Sequence, residues 1–331
     1  MHVVAAPDKF RGTASAAEVA GAIAAAATAA GATCDEVPVA DGGEGTLDVL
    51  GGPNRTKVVT GPLGDQVEAR WRYGGRTAVV EMARASGLEL VGGAEGNDVV
   101  AASTYGTGEL ISAALDAGCR RILVGVGGSA TVDGGLGALR ALEPIGRLRG
   151  VELVVACDVR TRFVDAARTF APQKGATPAQ VELLHRRLAR LVQVYDRTYG
   201  VDVSALAGAG AAGGLAGGLA VAGASLVPGF DVVSDEVELF DRLEGADLVV
   251  TGEGFLDEQS FEGKVVGGVF DLARSAGVPV LAVVGEVLDG ITVPEGLDVV
   301  SLVAAVGEER AFADTVAAIH EVVAAHLAAR S

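Results

Sequence analysis

Acidic residues, glycines and a few cations gather where apolar runs stop. "APDKFRGT" (6–13) carries Asp8, Lys9 and Arg11, and "ADGGEGT" (40–46) carries Asp41 and Glu44. "ACD" (156–158) ends in Asp158, and "TGEGFLDEQSFEGK" (251–264) carries Glu253, Asp257 and Lys264. Each cluster follows a predicted strand. Carboxylates with lysine and arginine are what Mg2+-dependent phosphoryl transfer needs, because catalysis there is chiefly positioning and charge neutralisation.

A fifth stretch, "ILVGVGGSATVDGGLGAL" (122–139), sets an apolar run before a glycine-rich turn. It reads as a strand-to-helix turn whose backbone N–H groups face phosphate, with Gly125, Gly127 and Gly128 letting the ligand approach. Gly125, Gly127 and Ala130 match the dinucleotide pattern GxGxxA. The P-loop pattern fails, since Glu258 stands where its first glycine belongs and Val265 replaces its hydroxyl. From spacing alone, a nicotinamide enzyme and a nucleotide-using kinase both stand. His2, His185, His320 and His326 have no metal-ligand spacing, and no GxSxG elbow is present.

The elements that must position these groups follow from periodicity. "HVVAA" reads as a buried strand, and Ser15 with Glu18 is a capping-box signature for a helix ending at Gly31. "CDEVPVA" is a second strand. Residues 56–82 alternate polar and apolar around "GPLGD" and "YGGR", which is antiparallel hairpin chemistry. Thr177-Pro178 opens a charged amphipathic helix over 177–199, and the stretch 208–223 reads as a tightly packed small-residue helix start. After about residue 245 strand and helix alternate again. The expected fold is α/β with two domains. One is a discontinuous doubly wound Rossmann-like domain, 1–58 plus 245–331, and the other is a mixed α/β domain inserted at 59–244. The active site is expected in the cleft between them.

A chain of 331 residues suits two cores. Its net charge of −17 opposes nucleic acid as a partner and requires well-placed lysine or arginine for any anionic substrate. Cys34, Cys119 and Cys157 form no CxxC pair and fit a reducing cytosol. No segment reads as a signal peptide or membrane span, so the expectation is a cytoplasmic protein, monomer or homodimer.

Taken together the segments resemble the bacterial glycerate kinase family, of the type that phosphorylates D-glycerate at the 2-hydroxyl. The resemblance rests on "APDKFRGTASAAEVA", "VADGGEGT", "VVEMARASGLELV", "ASTYGTGELI", "GVGGSATVDGGLGAL", "VACDV", "FAPQKGAT", "GAGAAGGLAGGL" and "TGEGFLDEQSFEGK", in that order along nearly the whole chain. It implies an ATP- and Mg2+-dependent kinase making 2-phosphoglycerate. Carried over residue by residue, it makes Asp158 the general base, with Lys9, Arg11 and Lys264 as further catalytic groups. Asp8, Gly42, Gly43, Gly127, Gly128, Ser129 and Lys174 become the substrate- and phosphate-binding set, and Asp41 and Glu253 the metal ligands. Two departures stand out: "EPIGRLRGVELVV" replaces a longer family segment, and "CDVRTRFVDAARTF" lacks the family's Asn-Pro-Leu turn. The altered loop leaves open a related small hydroxy acid as acceptor, and a non-catalytic sensor of glycerate or nucleotide is the alternative of another class.

Overall fold

The computed structural model describes residues 1–261 and 263–330. Its strands, in chain order, are β1 (His2–Ala5), β2 (Thr33–Glu36), β3 (Arg55–Thr60), β4 (Gln66–Gly74), β5 (Thr77–Glu81), β6 (Arg121–Gly125), β7 (Glu152–Ala156), β8 (Ser225–Val227), β9 (Leu248–Leu256), β10 (Val280–Val287) and β11 (Leu297–Ser301). The chain divides into two compact units, one of Met1–Asp41 with Gly229–Ser331 and the other of Gly42–Pro228. These boundaries differ from the expected 58 and 245. Residue 58 lies inside β3, which is paired antiparallel with β4 along its length, so the chain leaves the first unit earlier.

The first unit is an all-parallel sheet in the order β11-β10-β9-β1-β2. Counted within the unit this is the doubly wound order 2-1-3-4-5, whose direction of winding reverses between β1 and β9. Valines and alanines of β1, β9 and β10 are buried on both faces, as strands covered by helices must be. The helix Ala16–Ala29 opens with the expected capping box between Ser15 and Glu18. Its alanines pack with the helix Thr315–Arg330 over one face of the sheet.

The second unit holds a six-stranded sheet, β3-β4-β5-β6-β7-β8. The β3–β4–β5 meander is antiparallel, and β5 to β8 run parallel. Helices Tyr105–Asp116 and Leu136–Leu142 share the core built on Trp71, Val80, Ile122 and Val155. The long helix Pro178–Tyr199 starts at Thr177 with a capping box to Gln180 and buries Leu184, Leu188 and Tyr195 around Phe163. The small-residue run is helical over Ala211–Val221, but Ala212, Gly213 and Gly214 are left-handed and kink its start. A Cβ at Gly213 would sit 2.0 Å from the Thr131 carbonyl, so only glycine fits there. Among the described residues no helix is long and apolar enough to cross a membrane.

Candidate active site

In the first unit the charged residues collect at the carboxyl ends of β1 and β9, where the winding reverses. That is the place where open α/β sheets bind ligands. Asp8 follows β1 and is held by two backbone bonds: its N–H donates to the Gly252 carbonyl (2.9 Å), and its Oδ1 accepts from Lys9 N (2.7 Å). Burial to 8 % exposure pushes its carboxyl up to about 7, against the pull of Lys9, and the Asp41 charge pushes the same way. Glu253, in the second half of β9, is 9 % exposed. Burial likewise raises it to about 7, opposed by the Ser260 hydroxyl and Lys264 and reinforced by the Asp8 and Asp257 charges. Its Oε1 is buried with no hydrogen-bond partner among the described residues. Asp257 is tied into its own turn, accepting from the Ser260 N–H (2.9 Å). Lys264 occupies the N-cap position of the helix Val265–Ala276, with no capping bond from its side chain. The structure therefore brings together Asp8, Lys9, Arg11, Asp41, Glu253 and Lys264, and two of these carboxylates are pressed toward their protonated forms.

Such a site favours a cation or the proton of a reacting hydroxyl, since an unpartnered buried carboxylate oxygen is costly without one. Among the described residues no three His, Cys, Asp or Glu side chains converge on one point. A magnesium ion does not require that, because it usually takes one or two carboxylates and completes its shell with water and phosphate oxygens.

In the second unit the glycine-rich turns differ from expectation. β6 ends at Gly125, but no helix follows until Leu136, so the residues 125–130 are not the tight strand-to-helix turn of a dinucleotide site. Gly125 and Gly127 make room for protein. A Cβ at Gly125 would lie 2.6 Å from the Gly42 carbonyl, and one at Gly127 would lie 3.1 Å from the Gly43 Cα. Gly42 and Gly128 do need their glycine, with φ of +84° and +63°. Gly43 is the residue that presses against Gly127.

Two internal carboxylates take backbone N–H groups at the starts of the neighbouring helices. Glu81, at the end of β5 and 2 % exposed, accepts from Gly45 N (2.9 Å) and Leu47 N (2.8 Å) through Oε1 and from Arg84 Nε (3.1 Å) through Oε2. Asp133 accepts from Thr104 N (2.9 Å), Gly135 N (3.0 Å) and Gly137 N (3.1 Å), so it caps the starts of two helices at once. Sequence reasoning passed over both. The signal was present for Glu81, an acid at the end of an apolar strand, and for Asp133, an acid between glycines.

Lys174 is likewise turned inward. It is 3 % exposed, and its Nζ donates to Ser129 Oγ (2.7 Å) and to the Thr131 carbonyl (2.8 Å). Burial lowers its pKa to about 7, partly offset by Asp133. The expected phosphate ligand is thus a tether on the Ser129 segment. Asp158 leaves the end of β7 half-buried beside Cys157, whose thiol is pushed up to about 11, chiefly by burial.

Comparison with known proteins makes this chain a kinase and names the group. The glycerate kinase family matches residues 3–145 and 143–329. The chain is 40% identical to the glycerate 2-kinase of Escherichia coli (strain K12), over 91% of this chain and 90% of that protein. It is 40% identical to the glycerate kinase of Bacillus subtilis (strain 168), over 87% of this chain and 85% of that one. A crystal structure from Salmonella typhimurium LT2, provisionally named glycerate kinase 2, matches with a TM-score of 0.86 at 36% identity, covering 99% of this chain and 98% of its own. This chain belongs to the glycerate kinase family.

Proposed function

We propose that this kinase transfers the γ-phosphoryl group of ATP to D-glycerate, at the 2-hydroxyl, with Mg2+. The observation that carries the reading is the Asp8–Glu253 carboxylate pair at the reversal point of the parallel sheet, ringed by Asp41, Lys9, Arg11 and Lys264. The choice of acceptor is supported by the names of the relatives, and the 2-position by that of the Escherichia coli enzyme, a glycerate 2-kinase.

Asp41 and Glu253 would hold the metal, and the buried, unpartnered Oε1 of Glu253 suits a hard cation. When bound, Mg2+ neutralises charge on the ATP phosphates. Lys9, Arg11 and Lys264 counter the phosphoryl charge, with Arg11 offering a bidentate fork. Asp8 shapes the same pocket of charge. Asp158 accepts the proton of the attacking hydroxyl. Gly42, Gly43, Gly127, Gly128 and Ser129 form the backbone of the phosphate-facing turns. Lys174 serves them by holding Ser129.

A coupled ADP-release assay with Mg-ATP and a panel of small hydroxy acids tests this, with NMR of the product. Turnover of D-glycerate to 2-phosphoglycerate is expected. Formation of 3-phosphoglycerate overturns the 2-position, turnover of another acid alone overturns the acceptor, and ATP binding without any turnover overturns the kinase reading. Asp158→Asn should lower kcat by about 10²–10⁴-fold with the fold unchanged.

A further inference from the structure

We infer that Arg160 and Arg162, in the short segment after Asp158, are the residues that bind the acceptor's carboxylate. The identity of the acceptor as glycerate rests on the reading above; the carboxylate-binding role does not depend on phosphoryl transfer.

A protein with 43 acidic and 26 basic side chains repels a carboxylate from most of its surface. Anion binding in the second unit must therefore come from backbone N–H groups or from local cations at the carboxyl ends of β5, β6 and β7. The backbone donors described above are spent: Glu81 holds those of Gly45 and Leu47, and Asp133 holds those of Gly135 and Gly137. Two of the nearby cations are spent as well. Arg84 is engaged by Glu81 at 3.1 Å and faces Asp48 at 3.8 Å, and Lys174 is buried on Ser129 and Thr131.

Arg160 and Arg162 differ from these. Both are exposed, and neither guanidinium makes a hydrogen bond or ion pair with any described residue. Arg160 is two residues beyond Asp158, so their Cα atoms lie within about 7 Å. Arg162 follows by two more. The backbone of the segment is fixed although the two guanidiniums are uncommitted. At its start Cys157 N donates to the Val227 carbonyl (2.9 Å), and in its middle Gly210 N donates to the Thr161 carbonyl (3.0 Å). Its carbonyls are packed against glycines. A Cβ at Gly208 would stand 3.0 Å from the Val159 oxygen, and one at Gly210 would stand 2.5 Å from the Arg162 oxygen. At its end Phe163 is fully buried. A backbone held at three points carries two uncommitted guanidiniums beside the proposed base. That is a preorganised receptor for a planar anion, because each guanidinium can engage a carboxylate with two parallel N–H donors. A 2-hydroxy carboxylate gripped there would hold its hydroxyl close to its point of anchorage, and so close to Asp158.

The test is calorimetric binding of D-glycerate, without nucleotide, to the wild type, to Arg160→Ala/Arg162→Ala, to Arg160→Lys/Arg162→Lys, and to the charge-matched control Arg186→Ala/Arg197→Ala on the long helix. The double alanine variant should bind roughly 10–100-fold more weakly, as expected for lost charge-assisted hydrogen bonds. The double lysine variant should fall between it and the wild type, and the control should bind as the wild type does. In turnover, KM for glycerate should rise with KM for Mg-ATP unchanged, and the preference for glycerate over its uncharged methyl ester should shrink. Equal weakening by the control pair would reveal only long-range charge and overturn the proposal, as would glycerate affinity within twofold of wild type in the double alanine variant. If wild type binds glycerate through these arginines yet never turns it over, the kinase reading fails and the anion site stands. If wild type does not bind glycerate at all, the carboxylate site falls with it.

Discussion

The Lys174 ammonium lies 2.7 Å from the Ser129 hydroxyl, inside the second unit. An ammonium in that position is bonded but poorly solvated, which is why its pKa falls to about 7 from the ordinary 10.5. In the unfolded chain Lys174 titrates near its ordinary value. Between pH 7 and about 10 the unfolded state therefore binds more protons than the folded state, and stability rises with pH through that window. Below pH 7 both states are charged and the burial penalty is complete. Lys174→Met, which keeps the volume and removes the charge, should abolish this rise. The difference in unfolding free energy between variant and wild type should change by on the order of 4 kcal/mol from pH 7 to pH 10. Urea unfolding at several pH values measures it, and parallel curves for the two proteins would refute it.

Glu81 is the keystone of the turn that carries Gly42 and Gly43. Glu81→Ala leaves the buried Leu47 N–H, the half-buried Gly45 N–H and Arg84 without their acceptor, and should destabilise by about 2–4 kcal/mol. Glu81→Gln can keep its oxygen on Gly45 and Leu47 but turns an NH2 group toward Arg84, so it should lose about half as much. Chemical denaturation ranks the three proteins, and a glutamine variant no better than alanine would show that the turn does not depend on those two bonds.

Much of the fold is legible in the residues themselves. Ser15 with Glu18 and Thr177 with Gln180 announce their helices because a capping box is a local device of four residues. The β3–β4–β5 meander is legible through alternation and glycine turns for the same reason. The gathering of acids after β1 and along β9 is legible because charge beside an apolar strand is a local pattern. What escapes is set by distant partners. Spacing around Gly125 suggests a phosphate turn, yet the space its missing Cβ leaves is filled by Gly42, 83 positions earlier in the chain. Lys174 looks like a phosphate ligand until Ser129 and Thr131 are seen to enclose it. Glycine marks close approach in both a ligand site and a packed turn, so its presence cannot tell one from the other.

That distinction is testable at Gly125. A Cβ there meets the Gly42 carbonyl at 2.6 Å, and neither backbone can retreat easily. Gly125→Ala should destabilise by about 1–3 kcal/mol, in the range of core overpacking. Gly74→Ala, at the end of β4 with nothing within 4 Å of the new methyl and no positive φ, should be neutral or slightly stabilising. Thermal unfolding of the pair decides it, and equal melting temperatures would mean that the 42–43 turn yields without resistance.

The first unit makes the opposite kind of prediction, in which the native residue is the destabilising one. Asp8 is buried beside Asp41, and its ionised carboxylate is held against desolvation and like charge. Asp8→Asn keeps an oxygen for the Lys9 N–H, which now lies 2.7 Å from Oδ1, while removing the charge. With a chelator present and no nucleotide, the asparagine variant should melt higher than wild type at pH 8, by about 1–2 kcal/mol of added stability. If Asp8 belongs to the proposed site, its kcat/KM with Mg-ATP and glycerate should fall at least tenfold, because the charge that strains the fold is then the charge the reaction uses. A variant that is both less stable and fully active would show that Asp8 serves the fold and not the chemistry.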